Sequence, residues 1–473
     1  MNIHTTLVAV ALLPVASLAS AASAKVDALA SDACLVHARA SADAMVRGDF
    51  KSAGADFTPA FASQFPPAKI EQAWQSVQAS AGAYRTHGAA EARTLNGRAA
   101  IVLPVTFAHA EWKFVYACDG EGRIAAAQLM PAAQFDAAVA AEGHATVGRE
   151  PVQAATMPDG VRVEPLDVPS PFGPLRGALT LPAGNGPFPG VVLVAGSGPN
   201  DMDETAEGNK PFKDIAEGLA HAGIASLRYD KRTLDYALKS AANPDFTVDD
   251  EVTDDALTAL RLLAAQKQID PRRVFVLGHS LGAEMAPHIS RRDPQLAGVI
   301  MLAAPARSFL TVVAAQIREL GPKQGMSAAE LDKQEQAIAD EQKLLADADP
   351  ANPPKGSFEL LPGRPLPQAY LLSLHDVHQV RAAKSSTLPI LILQGANDFQ
   401  VSPTLDFDQW EKALGNKPNV TFHLYPGLSH LFMPGPTKSP ADYAKPAHVD
   451  PKVIADIANW IMAQPATTIA ASR

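Results

Sequence analysis

The chain has 473 residues, 40 Lys and Arg against 50 Asp and Glu, a formal net charge of -10 and a sequence pI near 5.7. That length exceeds one compact domain and predicts two. The basic residues are scattered with no Lys/Arg stripe, which excludes a nucleic-acid partner, while the acidic balance bears on solubility and not on the substrate.

Residues 1–24 hold a central apolar stretch and end in Ala22-Ser23-Ala24, the small-x-small pattern of a signal-peptidase site, which predicts cleavage before Lys25. The n-region offers only the amino terminus and His4 as positive charge. The alternative, an apolar anchor, falls short of the ~20 residues a span requires, and Pro14 interrupts it. The expectation is an exported protein, periplasmic or secreted, with no stable membrane insertion after cleavage.

Residues 25–130 read as a small α+β domain. Residues 34–45 and 67–80 have helical period, and residues 99–107, 112–118 and 124–129 read as strands, the last after the turn Asp119-Gly120-Glu121-Gly122. Cys34 and Cys118 are the two cysteines of the chain, neither in a metal-spaced arrangement, and in an exported protein they are expected to form a disulfide. Residues 131–160, Ala-rich and without strong period, read as a linker.

Residues 161–465 read differently. Short strands at 161–168 and 177–181 precede the continuous apolar run Val191-Val192-Leu193-Val194, as expected of a strand buried on both faces. Helix and strand signals then alternate: helices at 211–222, 249–267 and 281–291, strands at 224–229, 274–277, 297–303, 388–393 and 420–425, and a last helix at 451–462. Repeated βα units predict a mostly parallel sheet flanked by helices. Residues 307–384 interrupt the alternation with helical segments at 311–320 and 327–346, the second opened by the capping box Ser327-x-x-Glu330, and read as an inserted cap.

Gly278-His279-Ser280-Leu281-Gly282 matches G-x-S-x-G, in which glycines permit a strained strand-to-helix turn that presents a serine hydroxyl. The strand signal before it and the helix signal after it supply the required context. A serine hydroxyl needs a base, and the base needs a carboxylate to fix its tautomer, in the chain order Ser, acid, His. Asp398 just past one buried strand and His430 just past the next satisfy that order. Asp406 and Asp408 read as solvated or capping residues, Asp376 precedes its strand, His279 would point away from Ser280, and His423 lies within a strand. The developing oxyanion needs two N–H donors. Leu281 supplies one by its place after the nucleophile, and the turn Ala195-Gly196-Ser197-Gly198-Pro199 supplies Ser197 N–H, with Gly198 as the alternative.

Gly196 to Glu204, Asn209-Lys210-Pro211-Phe212 and Leu227-Arg228-Tyr229-Asp230-Lys231-Arg232, together with the serine, Asp398 and His430 segments, resemble a bacterial carboxylesterase group of the α/β-hydrolase superfamily over residues 161–462. The resemblance implies ester hydrolysis without cofactor, with Ser280, Asp398 and His430 as the triad. Met202 stands where relatives commonly have Arg, and Ala283 where a glycine often follows. Residues 25–130 are similar to the small NTF2-like domain that precedes some of these hydrolases; such folds bind small ligands or dimerise, so a homo-oligomer through this domain is one expectation.

The sequence therefore predicts a serine carboxylic-ester hydrolase for small or medium acyl esters, acting through an acyl-enzyme intermediate and needing no metal. A serine peptidase or amidase on the same triad is the alternative, and a non-catalytic binding protein of this fold is a third reading.

Overall fold

The computed structural model of the chain describes residues 24–468 apart from 96–97, 133–134, 136–150, 242, 323–325, 350–351 and 362–363. The expected leader, up to its final residue, lies outside the described residues, as does most of the expected linker. The chain divides into two compact units, Met1–Arg149 and Glu150–Arg473. No helix among the described residues is long and apolar enough to cross a membrane.

In the first unit, helices Ala24–Val46, Phe50–Ala53, Pro59–Gln64 and Pro67–Ala81 precede a five-stranded antiparallel sheet. Arg98–Phe107 is its hub, pairing with Tyr84–His87, Glu91–Leu95 and Glu111–Cys118, and the last pairs with Ile124–Pro131. Ala38, Ala42, Met45 and Trp74 from the helices and Ile101, Leu103, Phe114 and Tyr116 from the sheet share one core. Cys34 and Cys118 are bonded, with Cα atoms 5.9 Å apart. The first helix begins at Ala24, well before the expected residue 34, so Cys34 is buried in its interior and ties its middle to the sheet.

In the second unit a nine-stranded sheet runs in the order Val420–Tyr425, Ile390–Gly395, Gly298–Leu302, Ile269–His279, Phe188–Val194, Ala225–Tyr229, Gly177–Leu181, Arg162–Pro165 and Ala155–Thr156. The first six are parallel to one another and the last three join antiparallel. The strand Ala155–Thr156 falls inside the span expected to be a linker, so the second unit begins earlier than residue 161.

Alternation within the buried strands explains their continuous apolar runs. Val192 and Val194 face one core with Ile390 and Ile392, whereas Val191 and Leu193 face the other with Leu391 and Leu393. Helix Pro211–His221 lays Phe212, Ile215, Ala216 and Leu219 on the second core at the i, i+3, i+4, i+7 spacing of one helical face. Truncating any of these leucines to Ala removes burial on a fully covered face and costs about 2–5 kcal/mol.

The insertion after strand Gly298–Leu302 forms helices Phe309–Leu320, Ala328–Ala346, Gln368–His375 and Gln379–Ser385 with a hairpin, Ser357–Leu361 and Arg364–Pro367. Its own small core joins Leu310, Ile317, Ile338, Leu345 and Leu371, and the capping box at Ser327 and Glu330 is present. Arg307 at its root forms a bidentate ion pair with Asp406, which also accepts the Ala306 and Arg307 N–H groups. Asp406 is therefore fully buried and structural, not solvated. The charge is tolerated because four donors replace its water.

Candidate active site

Ser280 stands between strand Ile269–His279 and helix Leu281–Arg292 with φ +52° and ψ -118°. A non-glycine residue at positive φ costs roughly 1–3 kcal/mol, and close backbone packing holds it there. A Cβ on Gly278 would meet the Gly282 carbonyl oxygen at 2.1 Å, and one on Gly282 would meet the Val194 oxygen at 2.1 Å, so both elbow positions exclude side chains. Ser280 N–H donates to Leu302 O at 2.9 Å, and Glu284 N–H donates to Ser280 O at 2.9 Å. Among the described residues seven non-glycine positions have positive φ, and four of them, Glu204, Ser280, Ala303 and Phe432, lie in the loops around this corner.

Asp398 follows strand Ile390–Gly395, and His430 follows strand Val420–Tyr425. Asp398 Oδ2 lies 2.7 Å from His430 Nδ1 and also accepts from Gln394 Nε2 at 2.9 Å. Its Oδ1 accepts the Gln400 and Val401 N–H groups at 2.8 and 2.9 Å. Four hydrogen bonds thus satisfy a fully buried carboxylate and fix which oxygen faces the imidazole. With Nδ1 hydrogen-bonded to an acceptor, the other ring nitrogen is the one left to take a proton.

The two loops are stitched together by Ala396 N–H to Tyr425 O and Asn397 N–H to Leu428 O, both 2.9 Å. His279 connects the histidine loop to the serine. Its Nε2 lies 2.9 Å from the His430 carbonyl oxygen, and its ring centroid is 4.5 Å from that of His430. The residue directly before Ser280 therefore locates His430.

Leu281 heads helix Leu281–Arg292, where N–H groups lack intrahelical partners and the helix dipole favours negative charge. Ser197 lies in the turn after strand Phe188–Val194. Among the described residues neither the Leu281 nor the Ser197 N–H finds an acceptor. A Cβ on Gly196 would lie 3.1 Å from Ser280 Cβ, which places this turn against the serine. Met202 is buried and donates its N–H to Asp230 Oδ1 at 2.7 Å.

Several residues of the site escaped the sequence reading. Glu204 Oε1 accepts Gly196 N–H at 2.6 Å and His279 Nδ1 at 2.9 Å. Lys231 Nζ donates to Gly196 O at 2.7 Å and to Glu251 Oε1 at 2.5 Å. Both sit in motifs singled out for family likeness, but the pattern gave no sign that they hold the two peptide groups flanking the Gly196 Cα. Glu284 lies buried one turn beyond Ser280; burial, and secondarily the charge of Asp406, push its pKa up to about 8.

Among known proteins, the family described as serine aminopeptidase, S33, matches residues 205–435. Esterase EstD of Thermotoga maritima is 39% identical over 289 residues, covering 61% of this chain and 65% of that protein, so the chain spans just under two thirds of its relative's length. Similar solved structures include Est1E from Butyrivibrio proteoclasticus, 15% identical with TM-score 0.41 over 63% of this chain and 99% of that one. The esterase domain of a Rhodothermus marinus protein is 18% identical with TM-score 0.38, covering 63% and 97%. The sheet order, the strand–serine–helix elbow and the family match together give the second unit the α/β-hydrolase fold.

Proposed function

We propose that the protein is a serine hydrolase of carboxylic esters, with Ser280 as nucleophile, His430 as general base and Asp398 as the carboxylate that orients it. The observation that carries this reading is the 2.7 Å Asp398–His430 pair, tied to His279, the residue directly before a positive-φ serine. Ser280 Oγ attacks the acyl carbon as its proton passes to His430 Nε2, and the carbonyl oxygen becomes an oxyanion facing Leu281 and Ser197 N–H. His430 then returns the proton to the leaving alcohol, and water attacks the acyl-enzyme by the same route in reverse order.

The likeness to EstD, an esterase, supports an ester substrate, whereas the family description names an aminopeptidase. A panel of aryl esters of short and medium acyl chains, beside aminoacyl arylamides, separates the two. Turnover of the esters, absent in Ser280→Ala, is expected. Arylamide turnover with inert esters would replace the ester reading with the peptidase one.

We infer also that the first unit is an NTF2-like accessory domain, a reading supported by helices packed against one five-stranded antiparallel sheet. Export is supported by the bonded Cys34 and Cys118, since such bonds persist in oxidising compartments. Sequencing the mature amino terminus tests it: Lys25 is expected, and an intact Met1 would contradict it.

A further inference from the structure

His279 presents both ring nitrogens to acceptors. Nδ1 faces the Glu204 carboxylate at 2.9 Å and Nε2 faces the His430 carbonyl at 2.9 Å. A carbonyl oxygen cannot donate, and a neutral imidazole has one proton, so beside an ionised Glu204 two such bonds need the imidazolium. Glu204 Oε1 receives a third donor, Gly196 N–H at 2.6 Å. The second oxygen, Oε2, is buried and finds no hydrogen-bond partner among the described residues, so a proton placed on it would have nowhere to go. The charges that face His279 are Glu204 and, further off, Asp398, with the His430 ring stacked obliquely and the Phe212 ring edge-on. Burial opposes the charged ring, yet the Glu204 carboxylate, the hydrogen bonds and Asp398 together raise the His279 pKa above its ordinary value.

The unbroken path Gly196 N–H, Glu204, His279, His430 C=O spans the two parts that acyl transfer must hold in register. One end is the turn that offers the Ser197 donor, and the other is the backbone of the base. A buried ion pair of this kind is weak as a source of stability, because desolvation consumes most of the attraction. Glu204 itself sits at φ +51°, a conformation that favours glycine, so the local backbone is strained to deliver its carboxylate.

We propose that Glu204 and His279 form a buried carboxylate–imidazolium clamp that holds the Gly196–Ser197 turn and His430 in one register, making both of them positioning residues for acyl transfer. The clamp rests on the serine-hydrolase reading for its purpose, but its charge state stands independently of it. A neutral pair keeps all three bonds only with the proton on Glu204 Oε1, which would donate to Nδ1 while its less basic hydroxyl oxygen accepts Gly196 N–H, a poorer acceptor than a carboxylate oxygen. In Glu204→Gln, an amide oxygen turned toward Gly196 N–H and His279 leaves the imidazolium without its counter-charge, and an amide nitrogen there turns a donor on the Gly196 donor.

The test has two arms on the full chain. In the first, protein carrying 15N-histidine is examined by NMR at pH 8: one buried histidine is expected to keep two ring N–H protons, and to lose that signature in Glu204→Gln. A wild-type spectrum with every buried histidine neutral at pH 8 overturns the clamp, whatever the protein hydrolyses and whether or not the variants fold. In the second, Glu204→Gln and His279→Gln are titrated for active sites with a fluorophosphonate, so that kcat counts only folded enzyme. Loss of register should lower kcat per site by about 10²-fold with KM little changed, since misplacement by about 1 Å costs that much. A kcat per site within about twofold of wild type in both variants overturns the positioning role. Wild-type protein that turns over no ester would defeat the esterase reading instead, and leave the spectrum to decide the clamp.

Discussion

Lys231 and Gly196 are joined by a hydrogen bond of 2.7 Å from the ammonium to the carbonyl, in a setting where the lysine is only 4% exposed. The same ammonium meets Glu251, whose other oxygen accepts from the Tyr370 hydroxyl of the inserted cap at 2.5 Å. The turn beside Ser280 is thus anchored on its carbonyl side through a relay that ends in the cap. Removing one member of a buried ion pair leaves the other charge uncompensated and costs about 3–5 kcal/mol. Lys231→Met should lower stability by about that much and reduce kcat, whereas Lys231→Met with Glu251→Gln should recover most of the stability and little of the kcat. Denaturant melts and initial rates on the three variants check it; full recovery of rate in the double variant would mean that the lysine holds charge balance only.

Ser280→Ala should abolish ester hydrolysis with the melting temperature preserved, and His430→Ala should do nearly the same because the residues act as a unit. Asp398→Asn should cost about 10⁴-fold in kcat, since an amide donor facing Nδ1 selects the wrong tautomer. Steady-state rates on one aryl ester measure all three. An Asp398→Asn variant at full activity would move the carboxylate role elsewhere.

Stability should fall as pH rises across the neutral range, and Glu284 is one source. Its ordinary carboxyl value is 4.5, and in the folded protein it is pushed up to about 8. Between those values the folded chain keeps a proton that the unfolded chain has released, so the folded state binds more protons and its stability declines with pH, levelling off above about 8. Glu284→Gln should remove that slope, on the order of 2–4 kcal/mol across the window. Urea melts of both proteins at pH 5 and pH 8 measure the difference, and parallel losses would assign the slope to other groups.

The disulfide closes a loop with a sequence separation of 84 residues. A chain-entropy treatment of a loop that long gives roughly 4–5 kcal/mol. The Cys34→Ser, Cys118→Ser double variant should therefore melt its first unit at lower temperature. Ser280, Asp398 and His430 all belong to the second unit, so ester turnover at moderate temperature should persist. Simultaneous loss of both would tie the two units into one cooperative block.

The parallel sheet was legible because its strands are buried on two faces and therefore apolar without interruption, as in Val191 to Val194 and Ile390 to Leu393. Strands Tyr84–His87 and Glu91–Leu95 were not, since their sequences, YRTH and EARTL, carry polar residues and, among the described residues, pair only with Arg98–Phe107. The cap hairpin was hidden by Pro365 and Pro367, which break the alternating pattern. At the site, the positions of Ser280, Asp398 and His430 were legible because each lies in the segment just past a strand of the parallel sheet, the first two past buried strands and the third past the edge strand Val420–Tyr425. Glu204 and His279 were not, because they meet across 75 residues of chain, and pairing at that distance leaves no local spacing to read. Asp406 misled for the same reason: its partner, Arg307, lies 99 residues away.

The central claim, that Ser280 is a nucleophile activated by His430, meets its most direct test in intact-protein mass spectrometry after exposure to a fluorophosphonate. The account predicts one adduct per chain, on the peptide containing Ser280, absent in Ser280→Ala and formed far more slowly in His430→Ala. Ester hydrolysis with no adduct on Ser280, or with the adduct on another residue, would contradict it.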